Sequence, residues 1–343
     1  MLEETVFTNE TIKEQLKDNY NIEVITINRI DRGSANLYEI ITDTARYVLK
    51  EFQSKYKHEE IQKEIDIINH LKNQGLKVPR YIQCLNGEYQ FVFNGKNIIL
   101  QEFIEGHIIE QNSGNYEQTI ESAQNLGLIV KALGTFPYTL PGGSISGWYS
   151  ENSFNSSIKK YEELMELTPE NEIGNRIKDD FNKKIEMISD IKNKLNHEEL
   201  EKITYKNTHG DYSVMQFIYN ENGTINAIID FVAASYMPIT WEIIRSYSYI
   251  DRECVNGNFN IDNFINYVKE FNKVVKLNEY DLKYMVHIYL IQILNSTYGY
   301  KQYLSDNNRQ DLLNFAFLRT NIAKFLYENY KLISNRLLAE IGQ

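Results

Sequence analysis

The stretch Thr208-His209-Gly210-Asp211-Tyr212-Ser213-Val214-Met215-Gln216 decides how this sequence is read. It lies in a short strand-forming island, residues 204–231, within an otherwise helical region. FIYN (217–220) follows, then a turn at Glu221-Asn222-Gly223, then TINAIID ending at Asp230. An Asn-Gly step between two apolar runs is a hairpin signal. The hairpin is expected to return the chain so that Asp230 comes near Asp211 and Gln216. Three oxygen-bearing side chains would then converge.

That set of groups suits phosphoryl transfer. The reaction needs a carboxylate to orient or deprotonate an attacking hydroxyl, and hard oxygen ligands for magnesium on the nucleotide phosphates. The step of five from Asp211 to an amide side chain is the step in the kinase catalytic loop, H-R-D-x-x-x-x-N. Gly210 stands in the place of the Arg and Gln216 in that of the Asn. Glutamine offers the same carbonyl oxygen on an arm one methylene longer.

Upstream of the island the chain reads as strands. EVITINRI (23–30) alternates like a half-buried strand. After the turn Asp31-Arg32-Gly33-Ser34-Ala35 come LYEIITD (37–43) and RYVLKEF (46–52), an expected antiparallel meander. Residues 58–72 then turn helical, with Ile61, Ile65, Ile68 and Leu71 at spacings of three and four. Gly75 and Pro79 end that helix. GEYQFVF and NIILQEF form a second hairpin around Asn94-Gly95. The rest is mostly helical, with helices expected over 116–133, 153–167, 171–195, 261–275, 279–304 and 310–338. The helices over 153–167 and 171–195 read as charged and mostly exposed. The division is expected near Ile104-Glu105-Gly106, into a lobe of residues 1–103 and a lobe of residues 104–343.

HGDYSVMQ and IIDF, in this order and spacing, resemble the signature of the aminoglycoside phosphotransferase and choline kinase-like superfamily. The resemblance covers roughly residues 20–250; the segment beyond carries no signature. It implies an α+β, bilobal, protein-kinase-like fold. A small antiparallel-sheet N-lobe with one helix would bind nucleotide, and a larger, mainly helical C-lobe would carry catalysis and acceptor binding. It further implies ATP or GTP and Mg2+ as cofactors. Asp211 would be the catalytic base, and Gln216 and Asp230 the magnesium ligands. Lys50 in YVLKEF is similar to the strand lysine that contacts the phosphates, and Glu64 resembles its ion-pair partner, a role for which Glu59 and Glu60 compete. QEFIEG (101–106) looks like the inter-lobe hinge, so Gln101 and Phe103 are expected to meet adenine. The phosphate-loop equivalent, DRGSAN, has a single glycine, Gly33. Backbone N–H groups at Ser34, Ala35 and Asn36 suit an anion-binding nest, and equally an ordinary hairpin turn. His209 is expected to support the loop rather than carry a proton. Glu242 is expected to act structurally, pairing with Arg245 or with the catalytic loop.

Composition narrows the partners. A net charge of −11 argues against binding a nucleic-acid backbone, which needs a basic face. Two cysteines exclude a disulfide framework and a four-cysteine zinc site. The acidic start lacks the pattern of a signal peptide, and the most apolar stretch is too short to span a bilayer, so a cytoplasmic location away from membranes is expected. Acidity combined with 25 tyrosines favours a cationic acceptor of the aminoglycoside or amino alcohol kind, through Coulomb attraction and cation–π contact. A neutral sugar or a homoserine-like alcohol also fits. The alternative is a non-catalytic kinase-fold protein, such as the spore-coat relatives in the superfamily.

Overall fold

The structure is a computed structural model, and it describes residues 2–33 and 35–342. In chain order the helices are α1 (Asn9–Tyr20), α2 (His58–Asn73), α3 (Tyr116–Leu133), α4 (Glu151–Met165), α5 (Glu172–Ile191), α6 (His197–Leu200), α7 (Ile239–Ile250), α8 (Ile261–Val274), α9 (Glu279–Leu294), α10 (Tyr300–Ser305) and α11 (Gln310–Ile341). The strands are β1 (Thr26–Ile30), β2 (Asn36–Ile41), β3 (Arg46–Glu51), β4 (Gln90–Phe93), β5 (Lys96–Glu102), β6 (Tyr205–Thr208), β7 (Phe217–Tyr219), β8 (Ile225–Ile228) and β9 (Ser235–Pro238). Two compact units emerge. One comprises Met1–Ile108, Ala132–Tyr138 and Gln216–Ala234; the other comprises Ile109–Lys131, Thr139–Met215 and Ser235–Gln343.

The first unit is built on an antiparallel sheet of order β1-β2-β3-β5-β4. Side chains alternate across such a sheet, so neighbours on β3 serve opposite faces. Leu49 enters a core with Tyr38, Ile40, Ile98, Leu100 and the α1 residues Ile12, Leu16 and Tyr20. Helix α1 adds to the single helix expected here. Its apolar stripe is three residues wide among charged ones, a weak periodic signal. A reciprocal cap between Thr8 and Thr11 starts it, and Asn21 ends it in the left-handed region at φ 55°.

Glu51, also on β3, is fully buried and tied to Lys96 at 2.7 Å, Asn36 at 3.1 Å and Thr5 at 2.5 Å. Removing one partner of a buried pair leaves an uncompensated charge, at a cost of about 3–5 kcal/mol. Lys96→Met is therefore expected to lower the stability of the protein by that order. Chemical denaturation would read the loss, and an unchanged midpoint would contradict it.

The hairpin β7–β8 belongs to this unit, with its turn at Gly223 as its sequence predicts. His107 and Tyr219 exchange backbone hydrogen bonds at 2.9 and 2.8 Å, and Lys77 bonds Ile225 O at 2.7 Å and the Ile228 amide at 2.9 Å. Gly106 makes this docking possible. Its φ is +143°, and a Cβ there would stand 2.2 Å from Tyr219 O.

In the second unit α9 is buried on almost every side, as a helix apolar all round must be. Strand β6 pairs antiparallel with β9, setting Thr208 opposite Ser235. The continuous helix expected over 279–304 is broken: α9 stops at Leu294 and α10 starts at Tyr300. Gly299 turns the chain at φ +91°, where a Cβ would lie 2.4 Å from Leu312 O. Helix α5, expected to be mostly exposed, instead buries Ile177, Phe181, Lys184 and Ile188. Its apolar stripe is diluted by intervening charges, and a lysine completes it. Among the described residues no helix is long and apolar enough to cross a membrane.

Candidate active site

Lys50 follows Leu49 on β3 and so projects from the opposite face of the sheet. Its Nζ lies 3.4 Å from Glu64 Oε1 and 3.0 Å from Asp230 Oδ1. The Lys50 side chain is 12% exposed, Glu64 1% and Asp230 31%. Glu64 is on the buried face of α2, whereas Glu59 and Glu60 are exposed. Burial works against the Lys50 ammonium, but the Asp230 and Glu64 carboxylates overcome it and hold it protonated well above its ordinary range. Burial, in turn, pushes the Glu64 carboxyl up despite the lysine. Buried Tyr81 stands against that same carboxylate.

Asp230 caps the short helical turn Phe231–Ala233 with φ 66° and ψ 65°. A non-glycine residue in the left-handed region is uncommon and is sustained by its surroundings, often at functional sites. Lys63, one position before Glu64, donates to Val232 O at 3.0 Å and Ala234 O at 3.1 Å. Helix α2 thus fixes both the lysine and the turn behind Asp230. Gln216 ends the helical turn Val214–Gln216, and its carbonyl accepts the Ile229 amide at 3.0 Å. The hairpin therefore brings Gln216 alongside the residue before Asp230, as the spacing predicts.

The residues expected to meet adenine, Gln101 and Phe103, lie at and just beyond the end of β5. Gln101 pairs with Val48 and bridges to Tyr81. The Phe103 amide donates to Arg46 O at 3.1 Å, and the Arg46 guanidinium covers its ring at 3.8 Å. Ser34 lies outside the described residues. Asn36 buries its side chain against Glu51 and Glu3 O.

Asp211 is in the second unit. Gly210 before it has φ 80°, where an arginine would be strained. His209 is fully buried, and its Nδ1 accepts the Asp211 amide at 3.3 Å, a supporting role. Helix α7 holds the loop with two residues three apart on one face. Glu242 accepts from the Thr208 hydroxyl and, at 3.0 Å, from the Tyr212 amide. Arg245 forms an ion pair with Asp211 and donates to Tyr212 O at 3.2 Å. Of the two structural pairings open to Glu242, the loop is the one made, and Arg245 is left for Asp211. The Asp211 carboxylate remains 43% exposed. Lys63, Tyr81 and Arg245 were not legible as site residues. Only the position of Arg245 one turn beyond Glu242 hints at its role.

Among the described residues no group of three or more His, Cys, Asp or Glu could hold a metal unaided. Gln216 and Asp230 supply oxygen donors from one hairpin, which fits a hard cation completed by phosphates and water.

The same architecture recurs in solved structures. Spectinomycin phosphotransferase APH(9)-Ia, in complex with ADP and spectinomycin, aligns at a TM-score of 0.66 and 18% identity, covering 95% of this chain and 99% of that one. An aminoglycoside phosphotransferase from Alicyclobacillus acidocaldarius aligns at 0.64 and 15%, covering 97% and 98%. Plasmodium vivax ethanolamine kinase aligns at 0.60 and 15%, covering 95% and 93%. These likenesses establish a kinase-like α+β fold. A search of curated protein sequences finds no match. The model of the phosphotransferase enzyme family matches residues 26–258. The chain belongs to that family and is a phosphotransferase.

Proposed function

We propose that this protein is an ATP- or GTP-dependent small-molecule kinase acting on a hydroxyl group. The observation that carries the reading is Lys50, buried between Glu64 and Asp230, with Asp230 kept in a left-handed conformation. A lysine so placed grips phosphates as a point charge, and its two carboxylates keep it charged and aimed. Gln216 and Asp230 would hold magnesium, which when bound neutralises charge developing on the phosphates. The Phe103 amide is engaged with Arg46 O, so adenine is assigned to the next amides, Ile104 and Glu105. Asp211 orients the acceptor hydroxyl and takes its proton. The oxygen attacks the γ-phosphorus, the bond to the bridging oxygen breaks, and the nucleoside diphosphate leaves. Positioning and charge stabilisation supply most of such an acceleration, so these few groups suffice.

Thermal unfolding with and without ATP and Mg2+, followed by an ADP-release screen of small alcohols, tests the reading. The expected result is a nucleotide-dependent rise in melting temperature and release that depends on the alcohol. No shift together with no release would leave the non-catalytic alternative.

A further inference from the structure

Asp211 stands on a loop, and a loop by itself holds a side chain less closely than a helix does. Helix α7 supplies the rigidity. All of its twelve residues except Arg245 are buried. Its C-terminal end is locked by the segment that follows residue 108. There the Asn112 side chain donates to Ser248 O at 2.8 Å and Asp251 O at 3.2 Å. The Asn112 amide donates to Tyr249 O and the Gly114 amide to Ile250 O, both at 2.9 Å. On another face the Ser246 and Tyr267 hydroxyls meet at 2.6 Å. The one side chain that α7 does not bury fully is therefore carried on a fixed support.

That side chain makes two contacts with the catalytic loop. One terminal nitrogen of Arg245 pairs with Asp211 Oδ1, and the other donates to Tyr212 O at 3.2 Å. A single planar group thus spans the carboxylate of one residue and the main-chain carbonyl of the next. The two nitrogens of a guanidinium keep a fixed separation. Holding both oxygens therefore fixes the Asp211 side-chain torsion against its own backbone. The guanidinium is itself confined. Trp241 and Tyr249, one turn before and one turn after it on α7, face it with ring centroids at 5.3 and 5.0 Å. The Arg245 side chain is 16% exposed and that of Asp211 43%, so the carboxylate is held from its buried side and open on the other.

We propose that Arg245 is a positioning residue for phosphoryl transfer: it sets the plane of the Asp211 carboxylate, so that an arriving hydroxyl meets an oxygen already aimed. It acts through Asp211 and not on the nucleotide. The proposal rests on the kinase reading above, in which Asp211 receives the acceptor hydroxyl. A lysine at this position would keep the charge but lose the fork, and with it one of the two contacts. An uncharged side chain would leave the Asp211 torsion to the loop alone.

The test is a mutant cycle on the full-length protein with ATP and Mg2+. Water is one acceptor, and the alcohol giving the fastest ADP release in the screen above is the other. Arg245→Met is expected to lower kcat roughly 10²-fold, the scale of a misplaced reacting group. The KM for ATP should not change, because Lys50, Gln216 and Asp230 belong to the other compact unit. In the Asp211→Ala background the same substitution is expected to cost no further turnover, because no carboxylate remains to be aimed. A purely structural role would lower turnover in both backgrounds. Arg245→Lys is expected to fall between the wild type and Arg245→Met, and it replaces the methionine variant in the cycle should that fail to fold. Wild-type turnover in the variant read, an equal loss in the Asp211→Ala background, or a loss carried by the KM for ATP would overturn the proposal while leaving the kinase reading in place. No ADP release by the wild type with water or any alcohol would reject the kinase reading, and the proposal with it.

Discussion

Asp211→Ala is expected to lower turnover by roughly 10²–10⁴, the range for removal of a positioned general base. Nucleotide binding should persist, because Lys50, Glu64, Gln216 and Asp230 all belong to the other compact unit. The alanine variant also deprives Arg245 of its carboxylate, so lost turnover has a second possible cause. Asp211→Asn separates the two. It keeps an oxygen acceptor for Arg245 but no longer takes a proton. Single-turnover rates and melting temperatures of both variants give the answer. Asparagine with the wild-type melting temperature and the alanine-like rate supports a base. Asparagine that retains turnover rejects Asp211 in that role.

Lys50→Met has the second large effect. Two carboxylates now held apart by an ammonium, one of them almost fully buried, would face each other unopposed. Removing one partner of a buried ion pair costs about 3–5 kcal/mol, though protonation of Glu64, whose carboxyl already titrates high, limits the damage. Phosphoryl transfer should fall by roughly 10²–10³, the scale for loss of one preorganised charge-stabilising group. The double variant Lys50→Met with Glu64→Gln is expected to regain much of the stability and none of the activity. That non-additivity, read by denaturation and by ADP release, distinguishes a charge-bound lysine from a packing one. A single variant that binds ATP and Mg2+ like the wild type would refute the assignment.

Some of this was readable from local pattern. Lys50 sits in a strand whose period of two sends it away from Leu49, and Glu64 recurs with Ile61, Ile65, Ile68 and Leu71 on a period of 3.6. The Asn-Gly turn announced the hairpin that brings Gln216 alongside Ile229, next to Asp230. Other features had no local signature. Helix α1 was hidden by a thin apolar stripe and is secured by its caps. The break before α10 depends on how closely Leu312 approaches Gly299. Arg245, which the sequence offers only as a structural partner for Glu242, is given to Asp211 once α7 is laid against the loop that carries it.

The sequence by itself determined which residue types this chain offers for phosphoryl transfer, and in what order, because strand and helix periodicity act within a few residues. It also determined the family, through motifs whose spacing is a property of the chain. Only the tertiary structure decided which charges are compensated. Asp211 takes Arg245, Lys50 takes Glu64 and Asp230, and Arg319 takes no carboxylate among the described residues. Such pairings join positions far apart in sequence and depend on burial. Burial is what turns a nearly worthless surface ion pair into a strong constraint.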